Sequence, residues 1–519
     1  MGGFQEMLIA VTGTSGSVGS AAVPKLLENK DIICRLLFRN TPVNQKIIRR
    51  YQKKYGDQIQ IVYGDITDPD CCHSFVKDTD YVLHMAAVIP PKADHDDALT
   101  WKTNYTGTVN LTDAIIEDGN TAVLIFFSTV ATYGHRSYPH YWGRTGDPLM
   151  PSVFDSYGAS KVRAERYILE SDLKKYVILR ETGVLYDNLM MKNMGDGLML
   201  QTPLNVFIEW TTASDTARLV LKIVTEGDSK NDFWNRVYNI GGGVSCRETG
   251  FETYDDGFKL IGGSAKKIFE PRWHNQRNFH CFWFSDSDIL EDLFHFRKDS
   301  CESFWKEFSD HHKSYRLGKI LPASLLKAMI IKPILKNENA PDYWVKHRIM
   351  PKIIATYGGM ESYEKIPKTW KETDLFCEHE DYEQMKIHDP KIDLSHGYDE
   401  SKPDSALSIE DMREAAAFRG GELVSNEMIT GDLHTKLTWK CHNEHTFESS
   451  PYTIIKAGHW CPCCCEPKDE WRFDELSRHI PFFAQAWYDS HEKEENYVYT
   501  MDESGTPHIS LFAESEEIQ

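Results

Sequence analysis

What this 519-residue chain lacks narrows its class first. No apolar run reaches the roughly twenty residues of a membrane-spanning helix. The nearest approach, Ile320 to Leu335, is interrupted by Lys327, Lys332 and two prolines. The chain opens directly into a strand pattern, without a basic-then-apolar leader, so a cytoplasmic protein is expected. Positive charge is also short. Against 78 Asp and Glu stand 58 Lys and Arg, a net charge of -20. That balance excludes a broad phosphate-binding surface and leaves room only for a local basic patch. Cysteine is sparse except in one stretch, where Cys441, Cys461, Cys463, Cys464 and Cys465 crowd together. This distribution fits a metal site in a reducing compartment and not a disulfide framework. The other cysteines, such as Cys34 and Cys246, read as small core residues. Internal repeats and low-complexity tracts are absent as well.

What is present suffices for real cores: 41% apolar and 12% aromatic residues, in a length that suits two or three domains. From Met7 to about residue 245, short apolar strands alternate with amphipathic helices, the pattern of a parallel sheet with crossovers. Strands are predicted at Met7–Thr12, Ile32–Phe38, Gln60–Tyr63, Tyr81–Met85, Val123–Ser128 and Tyr176–Arg180, with helices at Val18–Glu28, Thr103–Ile116 and Ser156–Leu169. The fold class is therefore α/β, a Rossmann-type doubly wound parallel sheet with its site at the carboxyl ends of the strands. Residues 1–315 form one domain, with a smaller substrate lobe from about 183. Residues 316–407 read as a mixed helical connector without assignment. A cysteine-bearing module spans 408–470, and an acidic tail with one helix closes the chain at 471–519.

Val11-Thr12-Gly13-Thr14-Ser15-Gly16-Ser17-Val18-Gly19 follows the first strand and enters a helix, the context a dinucleotide fingerprint requires. Gly13 permits the tight turn, Gly16 the approach of a pyrophosphate, and Gly19 close helix–strand packing. The helix N-terminus, with Thr14, Ser15, Ser17 and Val18 around it, offers N–H groups to the phosphates. Where an NAD enzyme carries Asp or Glu for the ribose, this chain has Arg39. A guanidinium pairs with a 2′-phosphate, which favours NADP and leaves NAD open.

Tyr157 and Lys161 stand one helical turn apart in Tyr157-Gly158-Ala159-Ser160-Lys161. A free tyrosine titrates near pH ~10, and a neighbouring ammonium is expected to lower that value, so that the pair exchanges a proton with a carbinol or carbonyl oxygen. Fingerprint and Y-x-x-x-K in this order resemble the extended short-chain dehydrogenase/reductases, the NAD-dependent epimerase/dehydratase family, over about residues 5 to 310. The resemblance implies several further roles. Thr129, in Ser128-Thr129-Val130-Ala131, matches the hydroxyl that polarises the reacting oxygen, with Ser128 as the neighbour to check. Asn104 matches the Asn beneath the site, structural or part of a water relay to Lys161. Asp65 and Ile66 match the adenine contact, Ala86 and Ala87 the passage of the nicotinamide ribose, and Tyr157 and Lys161 also face the cofactor. Glu181 departs from the usual Pro and leaves the pocket wall there open.

Three chemistries share such a scaffold. The family's sugar-nucleotide dehydratases carry Asp-Glu after the catalytic Thr, where this chain has Val130 and Ala131, neither able to transfer a proton. Epimerases retain NAD, for which Arg39 is a poor ribose partner. The expectation is thus an NAD(P)-dependent oxidoreductase interconverting an alcohol and a carbonyl on a small molecule. A nucleotide-sugar epimerase with retained NAD is the alternative, and a cofactor-sensing binding protein a second. Aromatic residues around Trp273–Phe284 and Trp210 either line an apolar pocket or pack a core. Arg272 and Arg277 are candidates to hold a substrate phosphate. A homodimer stays open.

Cys441-x-x-x-His445 and Cys461-Pro462-Cys463-Cys464 supply two ligand pairs of zinc spacing. Cys441, His445, Cys461 and Cys464 form the expected set, in surroundings that resemble zinc-ribbon, treble-clef-like modules. His442 and His459 read as surface residues. A closed four-ligand site implies a structural metal that leaves the hydride chemistry untouched. Lys436, Trp439, Lys440 and Lys456 would serve a nucleic-acid contact, which the acidic flank weakens in favour of a protein contact or a purely architectural role.

Overall fold

The computed structural model describes residues 6–187, 189 and 196–512. Seven parallel strands form the central sheet: β1 (Met7–Thr12), β2 (Ile32–Phe38), β3 (Ile59–Tyr63), β4 (Tyr81–His84), β5 (Val123–Thr129), β6 (Tyr176–Glu181) and β7 (Arg236–Ile240). Their order is β3-β2-β1-β4-β5-β6-β7, so the chain reverses direction across the sheet between β1 and β4. The expected doubly wound fold is what the chain adopts. Every residue of β5 and β6 is buried, because helices cover both faces. Alternate residues feed two cores: Leu124, Phe126 and Ile178 enter one, Ile125, Phe127 and Leu179 the other. On the second face lie α1 (Gly19–Leu26) and, packed against it, α4 (Ala213–Glu226); on the first lie α2 (Gly107–Glu117) and α3 (Ser156–Glu170).

The remainder differs from the expectation of a separate module and a plain tail. After residue 470 the chain forms two helices, α5 (Phe473–His479) and α6 (Pro481–Trp487), and a three-stranded sheet that ends in the hairpin of β8 (Tyr497–Met501) and β9 (Pro507–Leu511). Pro481 cannot continue α5 and starts α6 instead, so one predicted helix becomes two. Trp471, Phe473, Leu476, Phe482, Phe483 and Tyr499 turn inward together with Asp474, while Glu492, Glu494, Asp502 and Glu503 stay exposed. The inward apolar residues join Trp439, Tyr452, Ile454 and Trp460 of the cysteine-bearing segment in the same core as Leu124, Phe126, Ala164 and Ile168. The C-terminal part is therefore built onto α3 and the sheet. Its apolar pattern announces burial, but a pattern does not say against what.

Candidate functional site

The fingerprint loop leaves β1 at Gly13, which has φ +73° and lies so close to Met85 that a Cβ would meet its carbonyl at 2.6 Å. A Cβ on Gly19 would fall 2.3 Å from the Gly13 oxygen, so α1 can begin this near the strand only with glycine there. Thr12 Oγ1 accepts from the backbone N–H groups of Met85 and Ala86 and ties β1 to the chain leaving β4. A cavity of about 480 Å³ opens at this switch point. Gly13, Gly16, Ser17, Val18, Gly19, Met85 and Ala87 line one end, and Thr129, Tyr157, Lys161 and Glu181 the other.

Thr129 ends β5, and Asp155 caps α3 through the Gly158 N–H at 3.0 Å, which fixes the helix that carries Tyr157 and Lys161. The Thr129 hydroxyl hydrogen-bonds Tyr157 and is the one influence that lowers its pKa; burial dominates and holds the phenol well above its usual range. The expected help from Lys161 is not what sets the phenol. Lys161 donates to the Phe127 carbonyl at 2.7 Å and sits 4.5 Å from the centre of the Phe126 ring. Burial pulls its ammonium down to about 7, against Glu165 and Glu181, which raise it.

Glu181, which sequence reasoning left as a gap in the wall, lines the cavity. It pairs in register with Thr129 across the ends of β5 and β6, so the two side chains emerge side by side. Its carboxylate accepts from Thr216 Oγ1 at 2.8 Å, and burial pushes it up to about 7, opposed by Thr216 and Lys161. The only available signal was the missing proline.

Other expected site residues lie elsewhere. Asn104 occupies a π-helical turn, Lys102–Thr106, where it bonds both backbone groups of Val88 and donates to Ser160 Oγ at 3.2 Å. It braces α3 one residue from Lys161 and does not line the cavity. Ser128 still borders the cavity, but its hydroxyl is committed to Glu165 as a donor. Arg39 is exposed at the end of β2. Asp65 accepts from the Thr67 N–H, Ile66 is packed near Gly107, and both stand outside the cavity lining, as do Thr14, Ser15 and Ala86. The aromatic segment divides: Phe279 and His280 join Trp210 in the wall, whereas Phe282, Trp283 and Phe284 are core. Neither arginine is free for a phosphate. Arg277 makes a two-pronged pair with Glu495, both contacts at 2.8 Å, and donates to three carbonyls. Arg272 lies over the Tyr363 ring and donates to the Ile366 carbonyl.

The outer face of α3 anchors the C-terminal part. Glu165, fully buried, accepts from Arg180 at 2.6 and 3.0 Å, and His459 approaches it at 3.7 Å. Arg180 also donates to the Tyr133 hydroxyl at 2.8 Å and to the Ala457 carbonyl at 2.7 Å. Arg166 bonds Glu466 and the Trp460 carbonyl, and His459 bonds Glu466 at 3.0 Å. His459 is thus a buried member of a charged network, not a surface residue. At the far side, Met501, Gly505 and Pro507 of the β8–β9 hairpin close the cavity. The cysteine-bearing segment is consequently bound to α3, the helix that carries Tyr157 and Lys161, contrary to the expected independence.

Within that segment the ligand atoms of Cys441, His445, Cys461 and Cys464 lie within 4.8 Å of one another. Cys441 and Cys464 sulfurs are 3.8 Å apart, and His445 Nδ1 is 3.6 and 3.2 Å from them. A tetrahedron with ~2.3 Å ligand bonds has edges of ~3.8 Å, so the spacing fits a zinc-sized ion. Cys463 is exposed, while Cys465 is buried and outside the set.

Residues 9–241 match the family described as the NAD dependent epimerase/dehydratase family. The match lies within the N-terminal half of the chain. A UDP-glucose 4-epimerase from Lactobacillus helveticus is 29% identical over 182 residues, 34% of this chain and 51% of that protein. A 3 beta-hydroxysteroid dehydrogenase type 7 from Mus musculus is 25% identical over 172 residues, 33% of this chain and 46% of its own length. The chain thus spans about half the length of these curated relatives. Among solved structures, a dTDP-glucose 4,6-dehydratase from Bacillus anthracis in complex with NAD is 20% identical with a TM-score of 0.48, covering 60% of this chain and 98% of that one.

Proposed function

We propose that this protein is a nicotinamide-dependent epimerase of a sugar-type substrate, acting through a transient ketone with Tyr157 as its acid/base. The observation that carries the reading is the convergence of Thr129, Tyr157 and Lys161 with the fingerprint loop in one cavity. A bound NAD(P) supplies the hydride acceptor and donor. Gly13 to Gly19 hold its pyrophosphate, and Ala87 leaves room for its ribose. Thr129 would orient the substrate hydroxyl, and Tyr157 would take the hydroxyl proton when the carbinol is oxidised and return it when the ketone is reduced. Lys161, which donates to the Phe127 carbonyl, would hold the cofactor ribose and stabilise the Tyr157 phenolate. Asn104 holds α3 in place. The match to an epimerase/dehydratase family and to a UDP-glucose 4-epimerase supports epimerisation, while Val130 and Ala131 leave no acid pair beside Thr129 for elimination.

A second reading, net oxidation or reduction with exchangeable NADP(H), draws on Arg39 and on an arginine-free cavity wall that offers a diphosphate little purchase. One experiment separates the two. Purified protein incubated with UDP-hexoses should interconvert the 4-epimers without net change in nicotinamide absorbance, and Tyr157→Phe should lose this turnover by at least about a hundredfold while binding dinucleotide as before. Stoichiometric NAD(P)H formation with a simple alcohol would favour the second reading, and full activity in Tyr157→Phe would end both. We also propose one structural zinc per chain at Cys441, His445, Cys461 and Cys464, supported by the donor spacing.

A further inference from the structure

Away from the cavity, a helical stretch at 323–334 presents two unlike faces. Inward, Leu326, Ile331 and Ile334 pack into a core with Leu200, Phe258, Ile268 and Phe269. Outward, Leu325 and Met329 lie one turn apart, 42% and 62% exposed, and Ile320 and Leu321 at the approach to the helix are 79% and 39% exposed. Four large apolar side chains within ten residues are more than scattered surface hydrophobes.

The charge around this apolar ridge is positive. In a chain of net charge -20, residues 313–336 contain Lys313, Arg316, Lys319, Lys327, Lys332 and Lys336 and no acidic residue. Lys327 bonds Glu270 at 2.8 Å. Lys332 and Lys336 are exposed on the outward side and have no acidic partner among the described residues. No described helix is long and apolar enough to cross a membrane. An apolar ridge bordered by unpaired lysines has the chemistry of a helix lying in the interface of an anionic bilayer, with methyl groups among acyl chains and ammonium groups at the headgroups. A second copy is a poor occupant, since self-pairing would set lysine against lysine.

We infer that residues 320–336 form a docking surface for an anionic lipid bilayer. The stretch leads directly to Asn339 and Trp344, which line the cavity, so docking sets the site's wall beside the membrane surface. The test is sedimentation of the full chain with vesicles of phosphatidylcholine alone and of phosphatidylcholine with phosphatidylglycerol. The protein should pellet with the anionic vesicles only, and less as salt rises. Lys332→Glu combined with Lys336→Glu should weaken binding by at least about thirtyfold, and Leu325→Ser with Met329→Ser should abolish it. Thermal melting and dinucleotide binding of the variants serve as fold controls; if the apolar pair melts early, the lysine pair alone decides. Failure to bind anionic vesicles, or undiminished binding by the lysine variant, overturns the inference. A dimer that Leu325→Ser with Met329→Ser dissociates would reassign the face to contact between copies.

Discussion

Replacing Glu165 by alanine tests whether the two ends of the chain are one cooperative body. Its carboxylate and the Arg180 guanidinium are both 0% exposed, joined by contacts at 2.6 and 3.0 Å. In Glu165→Ala, Arg180 keeps the Tyr133 hydroxyl and the Ala457 carbonyl, and no carboxylate. Stranding one charge of a buried pair costs about 3–5 kcal/mol. The carboxylate itself gives a second route to the magnitude. Arg180 and His459 outweigh burial and hold it down to about 2 from its ordinary 4.5, a displacement of about 3 kcal/mol. Either value is a large part of the ~5–15 kcal/mol that keeps domains folded. The assay is urea denaturation followed by far-ultraviolet circular dichroism and by tryptophan fluorescence, to which Trp439, Trp460 and Trp471 contribute. Both signals should shift together, with stability lowered by about 3–5 kcal/mol. Because the folded value lies below the unfolded one, the contribution is complete above about pH 4.5 and fades as pH falls toward about 2. The gap between parent and variant should close over that window. A loss under about 1 kcal/mol, or a C-terminal transition separate from the rest, would refute the reasoning.

Glu181→Gln removes a negative charge that raises the Lys161 ammonium, so the alkaline limb of the kcat/KM profile should move to lower pH; an unchanged limb would place Glu181 outside the proton inventory. Metal analysis should find one zinc per chain in freshly purified protein. Cys441→Ser should lose that zinc together with dinucleotide affinity, since Trp460 and Glu466 beside the cluster grip α3 through Arg166. Absence of zinc, or intact affinity without it, would sever that link.

Local features were legible in the sequence. β1, β2 and the start of α3 fall where apolar runs and glycines place them, because buried strand positions and a loop needing φ +73° at Gly13 each impose a residue type. The metal-ligand spacing was legible for the same reason. What escaped is what depends on distant partners. Nothing in residues 501–507 says that they meet a cavity formed by Tyr157, and a basic Arg277 looks the same whether a phosphate or Glu495 awaits it. His459 reads as a surface histidine until Glu165 and Glu466 are seen around it. The shift of Lys161 comes from burial, which a one-turn spacing to Tyr157 does not encode.

The Arg180–Ala457 contact has a consequence for how the protein comes into being. On a ribosome adding about 5–20 residues per second, roughly 15–55 s separate the emergence of these partners. Through that interval α3 has been made while Tyr452, Trp460, Phe482 and the other residues that cover it have not. The nascent enzyme half therefore waits with an apolar flank and a charged pair partly exposed, a period suited to chaperone capture. Helix α3 is covered only later, by residues translated long after it.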